Sequence, residues 1–289
     1  MRIIFTSDLH YNIARSAGPT EAVARRICEH GGDVLVLVGD SASTDLRVLE
    51  RALGLFDGFK GARVAVAGNH ELWTVGGADS LHRYENELAA VFSRNGFHYL
   101  DQAPFTANGL AIVGNVGWYD YSFRSSLMGI PLRFFQRKVA PGAAARIEEC
   151  RDLLEGAEDV SEAAMQVSTR WMDGVRVKLP MSDVAFTDHL AKKLRGQLES
   201  VHDRADRVIA AIHHLPFAEL VPHSMIPDWE FATAYHGAEL FGEVLLDFPK
   251  VSNLFCGHIH RERRVKKSHI ECCSIGCTYT DKTFEVLDV

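Results

Sequence analysis

The sequence predicts an α/β fold. Strand-like and helix-like segments alternate at short intervals through the first hundred residues. At least one strand, Val34 to Val38 (VLVLV), is apolar at every position, as a strand covered on both faces should be. Polar residues able to bind metals stand just past the end of one apolar run after another.

The elements follow in chain order. Ile3 to Thr6 is a short apolar run. Pro19 to Glu29 has helical spacing and stops at Gly31-Gly32. Val34 to Val38 and Arg63 to Ala67 are strands, separated by a helix over Asp45 to Phe56. Ser80 to Asn95 is a helix closed by Gly96. Strand, helix, strand, helix, strand marks βαβ units. Asn108-Gly109, between FTA and LAIVG, signals a hairpin. From Trp118 to about residue 205 the chain, rich in Arg, Glu and Ala, reads as a mainly helical insertion within one domain spanning residues 1–289. Strands resume at Val208 to Ile212. Leu240 to Phe248 is a helix and Val251 to Cys256 a strand. Short strands at Arg264 to Val265, Ile270 to Ser274 and Thr283 to Leu287 close the chain.

Composition narrows the function. The 289 residues are 47% hydrophobic, enough for a large core. No apolar run approaches the roughly 18 residues of a membrane span. The first residues, MRIIFTSDLH, do not read as a signal peptide. A net charge of −7 argues against a nucleic-acid coat. The six cysteines form no CxxC pair and read as free, mostly buried thiols. The expected location is therefore cytoplasmic.

Five strand ends carry the chemistry. IIFTS leads to Asp8 and His10, VLVLVG to Asp40, and VAVAG to Asn69 and His70. VIAAI leads to His213 and His214, and LFCG to His258 and His260. Ligands of α/β sheets bind beyond the carboxyl ends of the strands, where loops converge. Taken singly, each residue has a plain structural reading. Asp8 and Asp40 are ordinary turn or cap residues, Asn69 suits a turn after Gly68, and His213-His214 could be a satisfied core pair. Only Gly-His-Ile-His is moderately specific alone, because alternate positions on an extended segment share a side. Five coincidences at the same place in each strand unit are harder to accept. Carboxylate, imidazole and side-chain amide together suit borderline divalent ions, with Mn and Fe fitting at least as well as Zn. Two such ions about 3.5–4 Å apart need a bridging carboxylate, for which Asp40 is the natural candidate. The pair would lower the pKa of a bridging water towards about 7 and clamp an in-line displacement at phosphorus.

Asp8-Leu9-His10, Gly39-Asp40, Gly68-Asn69-His70-Glu71, His213 before Pro216, and Gly257-His258-Ile259-His260 together resemble the calcineurin-like metallophosphoesterases. The motifs occur in that family's order and frame about 250 residues. The resemblance implies a four-layer αββα sandwich of two mixed sheets flanked by helices. It implies that Asp8, His10 and His260 hold one metal, that Asn69, His213 and His258 hold the second, and that Asp40 bridges. His70 would protonate the leaving oxygen or steady developing charge. Two features depart from the family pattern. Ser41-Ala42-Ser43 stand where it often continues with an aliphatic residue, and the His213-His214 doublet leaves His214 as a second choice for the fourth motif.

The expected function is metal-dependent hydrolysis of a phosphate mono- or diester by a hydroxide bridging the two divalent ions. The expected partner is a small phosphoester or nucleotide. No membrane or nucleic-acid partner is expected, and the oligomeric state is not legible. A nuclease of the same fold and a non-catalytic interaction module are the alternatives. Between Gly114 and Arg137, six aromatics and three arginines suggest a substrate wall, with Trp118 and Tyr119 the best candidates; burial against the core is the competing reading. Arg124, Arg133 or Arg137 could grip a phosphate, and His214 is a further substrate candidate. The stretch Leu215 to His236 is expected to face the site. The basic run Arg261 to Lys267 reads as a solvated hairpin, or else as steering for an anionic substrate.

Overall fold

The computed structural model describes residues 1–289. Eleven strands form two mixed sheets flanked by helices. β1 (Arg2–Thr6), β2 (Val34–Val38), β3 (Ala62–Val66) and β4 (His98–Tyr99) run parallel. β11 (Glu285–Asp288) closes that sheet antiparallel to β1, giving the order β11-β1-β2-β3-β4. The second sheet has a parallel centre made of β6 (Leu110–Asn115), β7 (Arg207–Ile212), β8 (Val251–Cys256) and β10 (Ile270–Ser274). β5 (Phe105–Ala107) and β9 (Arg263–Lys267) are its antiparallel edges, giving the order β5-β6-β7-β8-β10-β9.

Period-two alternation divides each strand between two cores. Val34, Val36 and Val38 point between the sheets, where they meet Ile209, Ala211 and Phe255. Leu35 and Leu37 point outward, under the helices. Both faces are covered, so every residue of β2 is buried. Phe5 and Phe255 stack at 3.7 Å between centroids across the middle of the sandwich. The adjacent Cys272 and Cys273 fall on opposite faces of β10, and all six thiols are free.

The outer helices follow local signals. Asp45 caps the helix Leu46–Gly54 by accepting from the Arg47 N–H at 2.9 Å. Asn108 and Gly109 both have positive φ, 50° and 78°, as a primed hairpin turn requires. The first helix begins at Ala14, earlier than expected, and Pro19 lies inside it. Burial of Thr20, Val23, Ala24 and Ile27 carries the helix past that missing donor.

The segment from 118 to 205 contains helices of very different length. Only Asp183–His202 is a long helix. Before it, the chain is mostly irregular, with helical pieces of three to seven residues. Pro131, Pro141 and Pro180, with Gly129 and Gly156, interrupt any longer run. No helix is long and apolar enough to cross a membrane.

Candidate metal centre

The parallel strands of both sheets deliver their carboxyl ends to one edge. There the chain turns sharply, and five chemistry-bearing residues adopt left-handed backbone conformations: Asp8, His10, Asp40, His258 and His260, with φ between 44° and 73°. Such conformations cost non-glycine residues about 1–2 kcal/mol each and cluster at functional sites. Glycines make the space. A Cβ on Gly39 would lie 2.4 Å from the His213 ring, and one on Gly68 would lie 2.1 Å from Asp40 Oδ1.

Asp40 lies at the middle of the group. Its Oδ1 accepts the His70 backbone N–H at 3.0 Å. Its Oδ2 is left between two imidazoles, 3.6 Å from His10 Nε2 and 3.5 Å from His213 Nε2. On one side, His10 Nε2 and His260 Nε2 converge to 3.1 Å, and Asp8 Oδ1 lies 3.5 Å from His260 Nε2. On the other, His213 and His258 offer donors within 4.8 Å of the Asp40 carboxylate. Nδ1 of His213 donates to the Val38 carbonyl at 2.9 Å, which leaves Nε2 buried and unpartnered. Nε2 of His258 donates to the Tyr235 carbonyl at 3.2 Å, leaving Nδ1 free. The Oδ1 of Asn69 is likewise buried with no partner. Buried polar atoms normally find partners, so this convergence of oxygens and nitrogens, with Asn69 Oδ1 and His213 Nε2 unpaired, fits a cation site. The oxygen and imidazole mixture fits borderline divalent ions.

Electrostatics support that fit. Burial alone would raise the Asp40 carboxyl, but His70, His213 and His10 outweigh it and hold it well below the usual carboxylate range. Burial would lower His213, yet the Asp40 carboxylate lifts it to about 9. The site thus draws positive charge to itself. Burial keeps His10 and His258 well below the usual imidazole range, so both are neutral, as metal ligands must be.

A supporting layer surrounds these residues. The Glu71 carboxylate accepts the backbone N–H groups of Asp40, Ala42 and Gly68 at 2.7–2.9 Å and so ties the β2 loop to the β3 loop. Burial, then the Asp40 charge, push Glu71 up to about 8. Lys282 is buried and donates to the Asp8 carbonyl. Asp173, from the irregular segment, is 1% exposed and accepts four donors. Oδ1 takes Asn69 Nδ2 at 3.0 Å and Trp73 Nε1 at 2.7 Å; Oδ2 takes Trp171 Nε1 at 2.8 Å and Tyr119 Oη at 3.1 Å. The first of these bonds fixes the Asn69 amide with its oxygen free. Trp73 in turn stacks on the His70 ring at 3.9 Å between centroids. Sequence reasoning passed over Asp173, Trp73, Trp171 and Lys282, and gave Glu71 no role although it stands in a quoted motif.

The structure thus brings Asp8, His10, Asp40, Asn69, His70, His213, His258 and His260 to one edge. His214 stands behind this group. It is fully buried, its Nδ1 donates to the Val116 carbonyl at 2.9 Å, and burial lowers it to about 3. Trp118 and Tyr119 present no face to solvent: both are 0% exposed, and the Trp118 indole donates to Asp183 at 2.8 Å. The aromatic surface beside the site comes from Trp73, Trp171, Trp229 and Tyr279 instead. Arg124 is exposed and donates to its neighbour, the Tyr121 carbonyl. Arg133 pairs with Asp159, and Arg137 donates to the Glu149 carbonyl. Of the 215 to 236 stretch, Trp229 lines the adjoining cavity and Tyr235 holds His258, whereas His223 is exposed and pairs with Glu230. The basic run forms edge strand β9, with Arg264, Lys266 and Lys267 in ion pairs.

Comparison with known proteins bears on family and fold. The family model for calcineurin-like phosphoesterases matches residues 1–262. A phosphopantetheinyl hydrolase from Mycobacterium tuberculosis superposes with a TM-score of 0.65 at 18% identity, covering 95% of this chain and 89% of that one. A dimetal phosphatase from Danio rerio gives 0.55 at 14%, covering 99% and 91%. The protein TT1561 of Thermus thermophilus gives 0.54 at 9%, covering 99% and 98%. At these identities the likenesses speak to the fold alone. No curated protein matches the chain by sequence.

Proposed function

Because the chain belongs to the calcineurin-like phosphoesterase family, and is thus a metal-dependent phosphoric ester hydrolase, we propose that Asp8, His10 and His260 hold one divalent ion. Asn69, His213 and His258 would hold a second, with Asp40 serving both. The observation that carries this is the position of Oδ2, 3.6 Å from His10 Nε2 and 3.5 Å from His213 Nε2. Two divalent ions held there would supply Lewis-acid polarisation of a phosphoryl group and would lower the pKa of a bound water.

The chain's own residues do the rest. Asp40 uses Oδ1 to fix the His70 backbone. The His70 ring is steadied by the Trp73 face and carries Nε2 to 3.9 Å from Asp40 Oδ2. From there His70 Nε2 delivers a proton to the leaving oxygen. Glu71 and Asp173 hold the ligand loops in register from behind. The partner is a small phosphate mono- or diester, and Mn, Fe and Zn all suit the donors.

The test is a panel of phosphate mono- and diesters, supplied with Mn²⁺ and including a phosphopantetheinyl compound. Wild-type protein should turn over at least one class, and Asp40→Ala none. Equal turnover by Asp40→Ala would remove the proposal.

A further inference from the structure

Three of the chain's four tryptophans converge on one cavity. It has a volume of about 390 Å³ and opens beside Asn69 and His70, with Trp73, Trp171, Trp229 and Tyr279 around it. Resting on the hydrolase reading above, we propose that this cavity is the leaving-group pocket. It takes a planar aromatic ring, of the chemical class of a nucleobase, joined to the scissile phosphate.

Position comes first. His70 and Asn69 form part of the cavity wall. A phosphate at the metal centre therefore directs its substituent into this space. The character of the walls comes second. The indole N–H groups of Trp73 and Trp171 are both spent on the buried Asp173 carboxylate, at 2.7 and 2.8 Å. What they leave for a ligand is ring surface. Each is also clamped from one side, Trp73 on His70 at 3.9 Å and Trp171 on Tyr235 at 5.1 Å. Their rotamer freedom is lost on folding, so a ligand does not bear that cost again. Trp229, at the start of the helix Pro227–Ala232, is 64% exposed. With Trp73 and Trp171 it makes a contiguous aromatic surface, as binding sites present, where a lone exposed indole would mean little.

Polar residues supply most of the rest of the lining. Asp228 lines the cavity, and its Oδ1 accepts the Ser168 N–H at 2.8 Å and the Thr169 hydroxyl at 2.6 Å. Its Oδ2 takes no protein donor and can accept from an exocyclic amine. Arg170 lies on the same wall. Flat indole walls beside a free carboxylate oxygen suit a heteroaromatic ring better than a flexible aliphatic chain. The volume sits at the lower end of the roughly 300–1,000 Å³ usual for ligand pockets, which admits one nucleotide and not a strand.

The three pocket indoles make their own probe. Intrinsic tryptophan fluorescence is titrated with adenosine monophosphate and with ribose 5-phosphate, on chelator-treated and on Mn²⁺-loaded protein. In parallel, kcat/KM is measured for adenosine monophosphate against glycerol phosphate and a long alkyl phosphate. The nucleotide should quench saturably and ribose phosphate should not. Trp229→Ala should weaken nucleotide binding, and lower the kcat/KM ratio, by about 5- to 150-fold, the range for loss of one stacked ring. Equal binding of both probes, an unchanged ratio in Trp229→Ala, or preference for a long alkyl phosphate would overturn the inference. The two readings fail separately. Hydrolysis without ring preference removes the pocket assignment alone. Quenching without hydrolysis of any phosphoester removes the hydrolase reading, and the leaving-group role with it.

Discussion

Replacing Asp173 tests how far the irregular segment reaches into the metal centre. The carboxylate has about four acceptor sites, and four donors fill them. Asparagine keeps one acceptor oxygen and can turn it towards Asn69 and Trp73. Its amide then faces Trp171 Nε1, which loses its acceptor, and the Tyr119 hydroxyl, which can rotate to accept. One stranded buried donor costs about 1–3 kcal/mol. Alanine removes every acceptor and strands Asn69 Nδ2, both indoles and the Tyr119 hydroxyl, costing about 4–12 kcal/mol before water enters the space. Only the second change frees the Asn69 amide to turn away from the metal. Asp173→Asn should therefore bind Mn²⁺ nearly as wild type does, with a modestly lower Tm. Asp173→Ala should lose about 10- to 100-fold in metal affinity, the usual cost of removing a partner that orients a ligand. Mn²⁺ titration calorimetry and thermal denaturation of both variants provide the readout. Wild-type metal affinity in Asp173→Ala, or equal losses in the two variants, would refute the positioning argument.

Two further predictions concern protons. His70→Ala should keep its metal content and lose about 10²–10⁴-fold in kcat, with a smaller loss on nitrophenyl esters, whose leaving groups need less protonation; an equal loss across leaving groups would assign His70 to charge stabilisation. Burial pushes the Asp101 carboxyl, which accepts the Ala67 and Val116 backbone N–H groups, from an ordinary 3.8 up to about 6. The folded state then holds this proton more tightly than the unfolded one. Asp101 contributes stability below about pH 4 that is lost as pH rises through about 6, up to roughly 3 kcal/mol at 1.36 kcal/mol per pKa unit. Relative to Asp101→Asn, the wild type should lose that amount between pH 4 and 7 in denaturant unfolding, and parallel pH curves would contradict it.

Much of the site could be read from the sequence because strand and ligand are neighbours in the chain. Val34 to Val38 announces a strand buried on both faces, and Asp40 follows within two residues. Each of the five motifs repeats that local pairing, and a parallel sheet does the rest by bringing strand ends to one edge. Asp173 and Trp171 have no such local mark. Asp173 meets Asn69 across 104 positions, a contact made only by tertiary packing. Trp118 and Tyr119 follow a strand end as the ligands do, yet their rings turn into the core against Phe186, His214 and Tyr235. Proximity to a strand end does not say which way a side chain points. The segment before Asp183 shows the limit of composition in another way. Its Ala, Glu and Arg favour helix, but prolines and glycines cut it into short pieces, and burial of Phe134, Phe135, Ala140 and Val167 holds those pieces without periodicity.

The central claim is that one carboxylate oxygen of Asp40 is shared by two ions. Anomalous diffraction from crystals of the full chain soaked in Mn²⁺ tests it directly. Two peaks about 3.5–4 Å apart should flank Asp40 Oδ2, one among Asp8, His10 and His260 and the other among Asn69, His213 and His258. A single peak, or one held by His10, Asp40 and His70, would contradict the account.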